Sequence, residues 1–122
     1  MIGYVTLGTN DLARATKFYD ALLAIKGAKH GWESEKMMSW STSPGGAALI
    51  LIKPADGKAA TVGNGVMVSI LASSKEEVGK LHAKALALGG KDEGAVGPRG
   101  DGFYAGYFRD LDGNKLCAYF LG

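Results

Sequence analysis

Apolar residues recur at spacings of three and four from Leu12 to Leu23. Leu12, Ala15, Phe18, Tyr19, Leu22 and Leu23 make one face of a helix. Asn10 or Asp11 precedes that face as its N-cap, offering a side-chain oxygen to a free backbone N–H, and Gly27 lies where a terminating glycine belongs. Val78, Leu81, Ala85 and Leu88 repeat the pattern. Ser74 with Glu77 three residues later opens that helix as a capping box, and Gly89-Gly90 closes it. A short apolar strand runs ahead of each helix, one around Tyr4 and Thr6, the other around Met67 and Ser69. Behind each helix, β-rich runs flank glycine turns: Met37–Trp40 and Ala47–Lys53 around Ser43–Gly46, then Tyr104–Arg109 and Lys115–Phe120 around Leu111–Asn114. One more short strand fits near Ala28–His30 and another near Asp92–Val96.

The two patterns are copies. Ile2–Gly27 aligns with Gly65–Gly90 at a gapless shift of 63 residues, which sets Tyr4 on Met67, Tyr19 on His82 and Gly27 on Gly90. The order is therefore β-α-β-β-β, twice, in repeat units of about 1–57 and 62–122 within one 122-residue domain.

In that order and spacing the chain resembles the glyoxalase, bleomycin-resistance and extradiol-dioxygenase superfamily, the vicinal oxygen chelate fold. The resemblance covers essentially all 122 residues and rests on Thr6–Leu23, Gly63–Val78 and Tyr107–Phe120. It implies an α+β fold in which the tandem βαβββ repeats form an eight-stranded half-open barrel with two outer helices. It also implies a homodimer, because members with one tandem pair commonly associate through barrel edges or exchange halves.

Composition narrows the partners. Hydrophobic residues make up 47% of the chain, enough for a sizeable core, and the net charge is only +2 with Lys and Arg scattered along the sequence. Nucleic-acid and membrane partners are not expected, and no apolar run approaches a membrane span. The opening MIGYVTL lacks the charged region and apolar core of a signal peptide, and Cys117 is the single cysteine, so a reducing cytoplasm is the expected location.

Metal-using members of the family hold a divalent ion with a His on the first strand of each half and a carboxylate on a last strand. The resemblance carries these positions onto Tyr4, Met67 and Cys117. A phenol and a thioether are poor donors to Mg²⁺, Mn²⁺, Ni²⁺ or Zn²⁺, so no metal and no cofactor is expected at these residues. His30 and His82 show no His-x-Glu or His-x₃-His spacing; His82 belongs to a helix and His30 to a sheet edge or rim. The glycine-rich stretch Gly94–Gly102 precedes a strand instead of a helix, which excludes a dinucleotide loop and makes it a rim over the pocket. Arg99 in it is either a solvated loop residue or the contact to an anionic group. Cys117 has no neighbouring base in sequence and reads as a structural thiol.

Alternation along the strands gives an aromatic and apolar pocket lined by Tyr4, Thr6, Trp40, Leu49 or Leu51, Met67, Ser69, Tyr107 and Cys117, with Trp32, Phe103 and Tyr104 on loops at its mouth. Three functions fit. The first is metal-free binding of a small ligand, as in bleomycin resistance. The second is a lyase or dioxygenase-type enzyme with a displaced metal site, and the third is an interaction module with a vestigial pocket.

Overall fold

Each helix is fixed by its first residue. In a computed structural model describing residues 1–122, Asp11 caps helix α1 (Leu12–Leu23), its Oδ1 accepting from the Arg14 N–H at 3.0 Å. Ser74 caps helix α2 (Lys75–Ala87) in the same way, its Oγ accepting from the Glu77 N–H at 3.1 Å. The Glu77 carboxylate reaches back to the N–H of Ser73, one residue short of the expected capping box. A single 3₁₀ turn, Ala24–Lys26, extends α1, and Gly27 ends it in the left-handed region at φ 70°.

The observed order is the one expected, β-α-β-β-β twice. In the first unit, residues 1–62, β1 (Tyr4–Gly8), β4 (Ala48–Ile52), β3 (Met37–Ser41) and β2 (Lys29–Glu33) lie side by side in that sequence. In the second unit, residues 63–122, the sheet runs β5 (Val68–Leu71), β8 (Lys115–Leu121), β7 (Phe103–Arg109) and β6 (Lys91–Pro98). The first strand of each sheet pairs parallel to the last, and the remaining neighbours are antiparallel. Neither sheet closes on itself, so each has two edges. No helix is long and apolar enough to cross a membrane.

Each helix covers one face of its own sheet. In the first unit α1 packs on β3 and β4, burying Phe18, Tyr19, Leu22 and Leu23 against Leu7, Met38, Trp40 and Leu51. In the second unit α2 packs on β6, β7 and β8, with Val78, Leu81 and Ala85 buried alongside Phe108 and Leu116. Leu88 is half-buried and serves as the C-cap instead of a core residue. The other face of each sheet carries no helix.

Two expectations are corrected. The first part of the stretch Gly94–Gly102 is strand: β6 continues to Pro98, and the loop and turn Arg99–Gly102 follow it. Gly94 is there for space, since a Cβ would stand 2.9 Å from Tyr107 Cδ2. Met67 lies just before β5, not within it, and is 41% exposed.

Candidate ligand-binding face

In the second unit a single row of side chains crosses the open face. Ser69 on β5, Cys117 on β8 and Tyr107 on β7 are register partners, and Tyr107 pairs in turn with Gly94 on β6. Register partners point to the same side of a sheet, so strand pairing alone assembles this row from three distant segments. The Cys117 side chain is fully buried between its two neighbours in that row. The Tyr107 ring occupies the space left by Gly94. Over that ring lie two cations, the Arg99 guanidinium at 5.4 Å and the Lys115 ammonium at 5.6 Å from its centroid.

Arg99 is anchored. Its terminal nitrogens donate to the carbonyls of Ala95 at 2.5 Å and Gly97 at 3.0 Å, with a longer contact of 3.4 Å to Pro98. It lies exposed in the loop that follows β6, as the solvated reading has it, and its guanidinium is also held in place. The guanidinium lies over an aromatic ring and donates to carbonyls of β6, the strand that precedes it. Further along the same face Phe103 and Tyr119 stack at 5.3 Å.

Burial raises the Cys117 thiol above its ordinary value of 9.0, against the opposing pull of the Ser69 hydrogen bond, Arg99, Lys115 and Tyr107. Two consequences follow. An acid whose folded pKa is raised favours folding fully below its unfolded value, so the thiol's contribution is lost as pH rises from about 9 through the folded value. The side chain is also fully buried, so its reaction with a thiol reagent in the native protein is expected to be at least about tenfold slower than in denaturant at the same pH. Equal rates, measured by reagent absorbance, would show a reactive thiol instead of a structural one.

In the first unit the open face carries Tyr4 and Thr6 on β1, Ala48, Ile50 and Ile52 on β4, and Ser39 and Ser41 on β3. The Tyr4 ring meets Trp32 edge-on at 5.7 Å, and Ser39 Oγ accepts from the Trp32 N–H at 2.6 Å. A cavity of about 250 Å³ beside them is lined by Gly31, Trp32, Ser39, Ser41 and Ala48, among others.

Trp40, Leu49 and Leu51 are not on this face. Trp40 pairs with Leu49, one step out of phase with Tyr4 and Thr6, so it points to the helix side. There its ring lies 5.7 Å from Tyr19 and its Nε1 donates to Asp20 Oδ1 at 2.9 Å. Trp32, Phe103 and Tyr104, expected on loops, are strand residues, and Tyr104 faces α2 with the Lys75 ammonium over its ring.

Both histidines belong to the helix faces. His30 Nε2 lies 2.6 Å from Asp20 Oδ1, tying β2 to α1. His82 Nε2 lies 3.1 Å from Asp92 Oδ1 and 3.2 Å from the Tyr107 carbonyl. Both of those neighbours are acceptors, which assigns the proton to Nε2. The Gly94 N–H and then His82 hold the Asp92 carboxyl below its ordinary value.

The three positions at which the resemblance places metal ligands do not fit a divalent ion. Tyr4 is a half-exposed phenol, Met67 a thioether outside the strand, and Cys117 a thiol kept neutral by burial. Nowhere do three or more His, Cys, Asp or Glu side chains cluster as a metal site requires.

Residues 1–118 match the model of the Glyoxalase/Bleomycin resistance protein/Dioxygenase superfamily. Among solved structures, a glyoxalase/bleomycin resistance protein from Albidiferax ferrireducens T118 is 38% identical, with a TM-score of 0.90 and 98% of each chain covered. A hypothetical protein from S. aureus is 28% identical at TM-score 0.73, covering 98% of this chain and 96% of that one. A lactoylglutathione lyase from Agrobacterium tumefaciens shares the fold at TM-score 0.71 and 21% identity, over 98% of this chain and 92% of that one. No curated protein matches the chain. The family match over nearly the whole length, on two modules of the order βαβββ, makes this chain a member of the glyoxalase/bleomycin resistance protein/dioxygenase superfamily.

Proposed function

We propose that this protein binds a small planar or amphipathic molecule bearing an anionic group, without a resident metal and without converting it. The observation that carries this reading is the row Ser69–Cys117–Tyr107, with two cations over its Tyr107 ring. The row contains hydroxyls and a neutral thiol but no carboxylate or imidazole, so it can hydrogen-bond and stack yet has no general base to move a proton. Arg99, already anchored over the Tyr107 ring, can meet a carboxylate or sulfonate with little ordering still to be done. Tyr4 and Thr6 are the corresponding candidates on the first sheet, and Met67 adds apolar surface ahead of β5.

The reading is tested with an aromatic anion, anilinonaphthalene sulfonate, followed by its fluorescence. Arg99→Gln is expected to weaken binding about fivefold, the loss of one exposed charge contact. Lys80→Gln, on the outer surface of α2, is expected to leave it unchanged. Equal affinities for the native protein and Arg99→Gln would remove the anionic group from the reading.

A further inference from the structure

A second cavity, in the first unit, has a different chemistry. It measures about 420 Å³ and is lined by Asn10, Lys36, Lys53, Pro54, Ala55, Gly57, Lys58 and Ala59. Scattered in sequence, its three lysines are brought together by the β3–β4 hairpin. The Lys53 N–H donates to the Lys36 carbonyl at 2.8 Å, which continues the antiparallel ladder by one pair beyond Met37 and Ile52. Lys36 and Lys53 are therefore opposite each other across two strands, an arrangement in which like charges oppose pairing. Lys58 joins them from the following turn.

No acid neutralises this group. None of the three ammonium groups is paired with a carboxylate. Asp56, the acidic residue of the turn, accepts through Oδ1 from the Lys58 backbone N–H at 2.9 Å and does not line the cavity. The walls are held in place: Gly57 N–H bonds to the Pro54 carbonyl at 3.0 Å, and the Asn10 side chain accepts from the Ala60 N–H at 2.7 Å. Three cations lining one cavity, two of them opposed in a β-ladder, present a charge pattern that a multivalent anion relieves.

We propose that this cavity binds the phosphate moiety of a small polyvalent anion, through Lys36, Lys53 and Lys58. The shared chemistry is that of a phosphate bearing two or more charges, whether free or carried on an organic ester. The test is thermal unfolding of the full chain with pyrophosphate, with a sugar phosphate, and with sodium chloride at matched ionic strength. Pyrophosphate is expected to raise Tm saturably above the chloride control; a larger shift with the sugar phosphate would identify an ester as the natural form. Each single Lys→Gln change is expected to weaken the apparent affinity about fivefold. Without anion, Lys53→Gln is expected to raise Tm by about 2–4 °C, because it removes a like-charge pair. The proposal is overturned if the phosphate increment does not exceed that of chloride, or persists in K36Q/K53Q/K58Q. A lower Tm of anion-free Lys53→Gln would equally overturn it.

Discussion

Phe108→Ala is expected to destabilise the protein by about 3–5 kcal/mol, the range for removing a fully buried aromatic ring. Phe108 has no exposed surface, lies on β7 facing α2, and meets the His82 ring edge-on at 6.3 Å. Its removal leaves a cavity bounded by side chains of α2 and by its register partner Leu116. The neighbouring residue, Tyr107, points to the opposite face with Arg99 and Lys115 over its ring. A loosened β7 should therefore weaken ligand binding as well. Urea unfolding followed by circular dichroism gives the number, and a loss under about 1 kcal/mol would mean the ring is not part of a close-packed core.

Gly90→Ala is expected to cost about 3 kcal/mol, and Gly27→Ala only about 1 kcal/mol, although the two glycines occupy the same position of the repeat. At Gly90 a Cβ would stand 2.7 Å from the carbonyl oxygens of both Ala85 and Arg109. These are backbone atoms of α2 and β7, which cannot step aside as a flexible side chain would. At Gly27 nothing lies within 4 Å, and the penalty comes only from φ 70°. Thermal unfolding of the two variants side by side checks the order; a larger loss at Gly27 would contradict it.

The repeat was legible because the shift of 63 residues contains no gap and because strand, cap, amphipathic helix and glycine recur in register. Which face each strand presents was less so. Met38-Ser39-Trp40 and Leu49-Ile50-Leu51 place apolar residues on both sides, so no alternation marks the helix side, and Ile50 and Leu51 are both buried. Only the pairing of Thr6 with Ile50 and of Trp40 with Leu49 fixes the phase. β2 is an edge strand exposed throughout, with a bulge after His30, and gives no period to read.

Some signals were present and missed. Gly31 and Gly94 stand at the repeat shift, each on the outer strand of its sheet, and each leaves room for a facing side chain, Ser39 and Tyr107 respectively. Asp20 with His30 and His82 with Asp92 are likewise ten residues apart, with acid and imidazole exchanged between the units. Both pairs tie a helix to the strand that follows it. Arg99 and the three lysines could not be placed from sequence, because their neighbours come from strand pairing and turn geometry.

Tyr4, Met67 and Cys117, at the positions where the family resemblance places metal ligands, are proposed to bind no divalent metal. Elemental analysis of protein purified without chelators, followed by calorimetric titration with Zn²⁺, Ni²⁺ and Mn²⁺, tests it most directly. The expected result is no stoichiometric metal as purified and no submicromolar binding, because Tyr4, Met67 and Cys117 supply a phenol, a thioether and a buried neutral thiol. One equivalent of tightly bound ion, lost on Cys117→Ser or Tyr4→Phe, would contradict the account and restore the metal-dependent chemistry of the family as the leading explanation.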